Sequence, residues 1–113
     1  MTEPKYYLEI ESTPNNLITV EEFVNYFSVE LGLDREKING LLLAVTEATT
    51  NAIIHGNKNN KLKMVRIYVF VDGQTVTIKI KDEGKGFDPS IVPDPTDPEN
   101  LLKDSGRGLY LMR

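Results

Sequence analysis

The stretch Glu47-Ala48-Thr49-Thr50-Asn51-Ala52-Ile53-Ile54-His55-Gly56 decides how the rest of this chain is read. It continues a helical apolar period set by Ile38, Leu41, Leu42 and Val45, which runs on through Ala48 and Ala52 until Gly56. Within it an acid and an amide, Glu47 and Asn51, stand one helical turn apart and share a face. Ala44 and His55 extend that stripe beside the core stripe, so the pair belongs to the edge of the buried face, where a cleft can form. An Asn oxygen is a hard neutral ligand suited to a Mg²⁺ ion that keeps several waters and also holds phosphate oxygens. A carboxylate one turn away can take a proton from a hydroxyl or a water. An ordinary polar helix edge has the same composition, and the helix alone does not decide between them.

Outward from this helix the elements follow in order. Tyr6 to Ile10 reads as a short strand. A first helix is expected from Thr19, with Thr19 and Glu22 as a capping box, apolar positions at Val20, Phe23, Val24, Phe27 and Leu31, and a stop at Gly32. Asp34 is the expected N-cap of the second helix, flanked by Leu33 and Ile38 at hydrophobic-staple positions. Downstream, Val65, Ile67, Val69 and Val71 alternate as a strand, Asp72-Gly73 signals a hairpin, and Val76, Ile78 and Ile80 alternate strictly with Thr75, Thr77, Lys79 and Lys81. From 87 to 105 the pattern vanishes among Pro89, Pro93, Pro95 and Pro98; a loop of this length in a compact domain reads as a functional lid or as disorder. Leu109 to Arg113 reads as the start of a helix. The order predicts helices on one face of a largely antiparallel sheet.

Two glycine-bearing boxes sit in this frame. Asp82 continues the parity of Val76, Ile78 and Ile80, so it points to the side where the second helix packs. A carboxylate there is costly unless it is paired, and the amino group of an adenine is one partner that fits. Gly84 and Gly86 leave the backbone bare where a flat base could approach, although Asp82-Glu83-Gly84-Lys85-Gly86 is equally good turn composition. Gly106 and Gly108 would open the last helix, where free amides and the helix dipole attract phosphate; a lid hinge is a compatible reading. Arg107, Lys103 and Lys58 are candidate phosphate contacts, and His55 reads as a helix-end structural residue.

Composition narrows the classes. The chain has 113 residues, 40% of them hydrophobic, enough for one domain with a modest core. A formal net charge of −4 argues against a general nucleic-acid binder, while a nucleotide needs only local cations. With no cysteine there are no disulfides or thiolate metal sites, and the lone His55 cannot build a zinc site. No stretch reads as a signal peptide or a bilayer span, so a cytoplasmic protein without membrane contact is expected.

Together, Glu47-x-x-x-Asn51-Ala with Ile53-Ile54-His55-Gly56, Asp82-x-Gly84-x-Gly86-Phe87 and Gly106-x-Gly108-Leu109 resemble the acid–asparagine box and the two glycine boxes of the GHKL ATPase superfamily. The chain is most similar to the small bacterial anti-sigma factors that are also serine kinases. The resemblance implies an α/β two-layer sandwich over 1–113, with ATP and Mg²⁺ as cofactors. By position, Glu47 would be the general base and Asn51 the magnesium ligand. Asp82 would bind the adenine amino group beside Gly84 and Gly86. Gly106 and Gly108, with Lys103 and Arg107, would approach the phosphates, and 87–105 would be the ATP lid. The resemblance also implies a homodimer that sequesters a sigma factor and phosphorylates a serine of a STAS-type anti-anti-sigma partner, without direct contact to nucleic acid. Alternatives are a non-catalytic ATP-gated switch and a histidine-kinase catalytic domain, although no dimerisation helix with a phospho-accepting His is seen. The family continues past its last glycine box into further strands, which are expected to be missing from a chain that ends at Arg113.

Overall fold

The computed structural model describes residues 3–84 and the backbone of 108–112. Strand β1 (Tyr6–Glu11) leads through a 3₁₀ turn (Pro14–Asn16) into α1 (Leu17–Glu30). Helix α2 (Arg35–Asn51) follows and runs into a single π turn, Ala52–Gly56. Then come β2 (Met64–Asp72), β3 (Thr75–Lys81) and β4 (Gly108–Met112). The strands form one sheet in the order β1-β2-β3-β4, every neighbouring pair antiparallel. Both helices cover one face of it.

The core lies between the layers. Ile10, Val65, Ile67, Val69, Val76, Ile78 and Ile80 supply its sheet side, as the alternation predicts. Val20, Val24 and Phe27 of α1, with Leu41, Val45, Ala48, Ala52 and Ile53 of the second helical run, supply the other. Phe27 is fully buried, stacked on Tyr6 with ring centroids 5.6 Å apart and set edge-on to Phe23 at 5.2 Å. The hydroxyls of Tyr6 and Tyr26 both donate to Glu30, tying β1 to the end of α1 and holding that carboxyl below its ordinary range. On the open face Tyr7, Tyr68 and Phe70 form an aromatic row, and Glu9 pairs with Arg66 directly across the strands at 2.8 Å.

Local signals fix most of the element ends. Gly32, at φ +73°, closes α1: its N–H reaches Val29 O and the Leu33 N–H reaches Ser28 O, the paired bonds of a Schellman motif. Asp34 caps α2 by accepting from the Lys37 N–H at 2.9 Å. The β2–β3 loop is Gly73-Gln74, with a positive φ at Gly73, so the glycine is the first loop residue of a II′-like turn.

Two expectations are corrected. Helix α1 begins at Leu17 rather than Thr19, and the Thr19–Glu22 capping box does not form. The 3₁₀ turn started by Pro14 already has helical sense and feeds directly into the helix, leaving Thr19 inside the first turn. The second correction concerns the helix start expected over 109–113, where a strand, Gly108–Met112, stands instead. Gly108–Met112 pairs with β3, with Leu109 opposite Ile78 and Leu111 opposite Val76. The free edge of β3 offers a row of N–H and C=O groups, and a run this short gains more by completing that ladder than by nucleating an isolated helical turn. The proposed lid at 87–105 lies outside the described residues.

Replacing Phe27 by alanine should cost about 3–5 kcal/mol, the usual range for a buried phenyl ring. Urea unfolding checks it, and a loss below about 1 kcal/mol would show that Phe27 does not anchor the α1–sheet contact.

Candidate functional site

The end of α2 is built in an unusual way. After Asn51 the backbone widens into the π turn, a form that often marks functional positions. The carbonyls left free at the helix end are taken up by the following loop, as Asn57 N–H donates to Ala52 O and Asn59 N–H to Ile53 O, both at 2.8 Å. Lys58 and Asn59 reach these positions with φ of 54° and 59°, a left-handed pair without glycine. Such residues persist only where the surroundings over-determine them.

The surroundings here are the turn after β3. Asp82 directs its carboxylate onto the bare backbone of Gly56, where a Cβ would stand 2.2 Å from Oδ2 and 2.4 Å from Cγ. Its Oδ1 accepts from the Gly84 N–H at 2.9 Å, folding Asp82-Glu83-Gly84 into a tight turn, and Oδ2 is buried. Gly84 in turn lies on Gly56: a Cβ on it would fall 2.1 Å from the Gly56 carbonyl oxygen. The inward parity of Asp82 is therefore realised. Gly84 has a further reason for its bare backbone besides access for a base, namely the close approach of Gly56.

Asn57 is buried and holds this turn in place. Its Nδ2 donates to Ser12 Oγ at 2.7 Å and to Met64 O at 2.9 Å, and its Oδ1 accepts from Glu83 N–H at 2.7 Å. Ser12 Oγ passes its own hydrogen to Lys63 O at 2.6 Å, and the Glu83 carboxylate accepts from Met64 N–H. Sequence reasoning missed Ser12 and Asn57. An asparagine after a helix-ending glycine is an ordinary cap signal, and its partners Ser12 and Glu83 lie 45 and 26 residues away.

Beside these groups opens a cleft of about 540 Å³, lined by His55, Gly56, Asn57, Lys58, Asn60, Lys63 and Gly84. Lys58 and Lys63 bring positive charge to it and no carboxylate among the described residues lines it, so it suits an anionic ligand. Glu47 and Asn51 share the exposed side of α2 one turn apart, upstream of the cleft and outside its lining. Gly86, Lys103, Gly106 and Arg107 lie outside the described residues. Gly108 begins β4 opposite Lys79, so the phosphate site argued from a helix N-terminus does not apply to it. Among the described residues no cluster of three metal-ligating side chains occurs and no helix is long and apolar enough to cross a membrane.

A two-layer α/β sandwich with an acid–asparagine helix, followed by a half-buried acid in a glycine turn, defines a class. A profile described as the histidine kinase-like ATPase domain matches residues 10–113, and the chain belongs to that family. Its relatives include an anti-sigma F factor of Clostridium botulinum, 33% identical over 114 residues, covering 99% of this chain and 80% of the relative. Another, from Clostridium beijerinckii, is 36% identical over 88 residues, or 78% of this chain and 62% of the relative. A third, from a Thermoanaerobacter strain, is 42% identical over 62 residues, 55% of this chain and 43% of the relative.

The two glycines should respond differently to alanine. Gly56→Ala meets a side chain rather than backbone; it displaces the Asp82 carboxylate and forfeits its bond to the Gly84 N–H, so stability should fall by about 1–2 kcal/mol. Gly84→Ala meets backbone and should cost about 2–3 kcal/mol. Thermal or urea unfolding decides, and a Gly84→Ala variant as stable as the wild type would overturn the close-contact geometry.

Proposed function

We propose that this chain is an ATP-binding anti-sigma factor of the serine/threonine protein-kinase type. The observation that carries the reading is the Asp82 carboxylate, seated between the bare backbones of Gly56 and Gly84 and beside the basic cleft. A family of histidine kinase-like ATPases and relatives named anti-sigma F factors supports it.

The residues present fit an adenine nucleotide. Asp82 is an acceptor suited to the amino group of adenine, and glycine at 56 and 84 lets its turn close against the end of the helical run. Lys58 and Lys63 bring cations for phosphates. Asn51, exposed at the end of α2, offers one neutral oxygen to a Mg²⁺ ion that keeps most of its own waters. Gly86 belongs with the base pocket, and Lys103, Gly106 and Arg107 with the phosphates, on their place in the family pattern. Bound Mg²⁺-ATP supplies the transferable phosphoryl group and the charge neutralisation. The chain's own part is to position the partner's serine and to accept its hydroxyl proton on Glu47, the exposed carboxylate one turn from Asn51. The partner serine belongs to a STAS-type anti-anti-sigma protein, and a homodimer of this chain sequesters the sigma factor in the cytoplasm.

Calorimetric titration with Mg²⁺-ADP tests the pocket. Asp82→Asn should weaken binding by at least about tenfold, since a buried charge-assisted hydrogen bond is worth about 1.5–3 kcal/mol; unchanged affinity in a folded variant would refute the assignment. Transfer from labelled ATP to a STAS-type partner tests the chemistry. Glu47→Ala should leave nucleotide affinity intact and slow transfer by roughly 10²–10⁴-fold. A wild-type protein that binds ATP and transfers nothing would instead identify an ATP-gated switch.

A further inference from the structure

The ladder between β2 and β3 ends at Arg66 opposite Lys81. Continuing that register would bring Met64 opposite Glu83, yet the two strands do not pair there. The Asn57 side chain lies between them instead, accepting from Glu83 N–H and donating to Met64 O. Its orientation is forced, because a peptide N–H can only donate and a peptide oxygen can only accept. A side-chain amide carries the same donor and acceptor as a peptide group. It can therefore replace a rung of the ladder while holding the strands apart by its own width. The remaining Nδ2 hydrogen goes to Ser12, so this almost fully buried amide is satisfied on every side. Glu83 adds the matching bond on the other side of the gap, from Met64 N–H to its carboxylate.

The consequence falls on the neighbouring residues. Because β3 is peeled from β2 at this point, the chain turns at Asp82 instead of running on as a strand. The N–H that Asn57 grips belongs to the peptide joining Asp82 to Glu83, and Asp82 and Gly84 both lie against Gly56, the residue before Asn57. We propose that Asn57 is a positioning residue of the nucleotide pocket. It grips the Glu83 peptide and so sets where the Asp82 carboxylate stands relative to Gly56, and with it the preference for an adenine base. This inference rests on the adenine reading of Asp82. It adds a residue outside the three sequence boxes, joined to the site by side-chain hydrogen bonds from the β1–α1 loop, the start of β2 and the turn after β3.

The test compares Asn57→Ala with Ser12→Ala. Both delete a buried hydrogen-bonding group of the same network, but only the first releases the Glu83 peptide. Binding of Mg²⁺-ADP and of Mg²⁺-IDP, whose base carries an oxygen in place of the amino group, is measured by calorimetry at a temperature where circular dichroism shows each variant native. Asn57→Ala should raise the ADP dissociation constant about tenfold and shrink the ADP-over-IDP preference, as for the loss of about one buried hydrogen bond. Ser12→Ala should lower the unfolding midpoint while keeping both affinities within about twofold. Asn57→Asp retains the acceptor for Glu83 N–H and should keep more of the ADP preference than alanine does, which provides a reading if Asn57→Ala does not fold. Unchanged preference in Asn57→Ala, an equal loss in Ser12→Ala, or a preference in Asn57→Asp no better than alanine or, where alanine does not fold, than Asp82→Asn would overturn the proposal. If the wild type binds neither nucleotide, the adenine reading fails instead, and the two failures are distinguished.

Discussion

Between Gly56 and Gly84 two backbones meet with no side chain to separate them, and the Asp82 carboxylate rests on the same glycine. The approach is so close that a single methyl group on Gly56 would overlap the Asp82 carboxylate, and one on Gly84 would overlap the Gly56 carbonyl. Much of the site follows from this contact. It fixes where the helix layer meets the sheet beyond the last ladder pair, it places a carboxylate oxygen under cover, and it leaves a cleft alongside with two lysines on its wall. A carboxylate held in such a place is costly unless its oxygens are given donors, and the Gly84 N–H supplies one from within the same turn.

Holding that contact requires two unrelated segments to be registered by side chains. The π turn and the left-handed Lys58-Asn59 pair bend the chain away from the helix axis while keeping its terminal carbonyls bonded. A left-handed residue other than glycine costs about 1–2 kcal/mol in isolation. That cost is offset where the bend delivers Asn57 into a buried position with each of its polar hydrogens and its oxygen bonded. Local strain, polar satisfaction and the carboxylate's position are thus one arrangement. Glu47 and Asn51 stand apart from it on the exposed side of α2, so the groups proposed for base recognition and for proton transfer rest on different structural supports.

Much of the architecture was legible because it is written in short-range patterns. The Asp34 cap, the Gly32 stop and the strict alternation of β3 each depend on residues within a few positions of one another. The same locality explains the misses. Thr19 and Glu22 have the form of a capping box, but the earlier turn at Pro14 had already started the helix. Gly108–Met112 looked like a helix start because its pairing partner, β3, is remote in sequence and the ladder it completes is invisible in a local window. At the site, the parity of Asp82 was readable from the alternation before it. The role of Gly56 was not, since it depends on a carboxylate 26 positions downstream, and neither was the Ser12–Asn57–Glu83 bridge across three segments. The family boxes carry the proposed chemistry, while the supports around Asp82 are tertiary.

The central claim is that the Asp82 carboxylate, seated on Gly56, receives the amino group of an adenine. A crystal structure of the protein with Mg²⁺-ADP measures this directly. The account predicts the adenine amino nitrogen within about 2.7–3.2 Å of an Asp82 carboxylate oxygen, with the base against the Gly56–Gly84 backbone. A base bound elsewhere, with no contact to the Asp82 carboxylate, would contradict it.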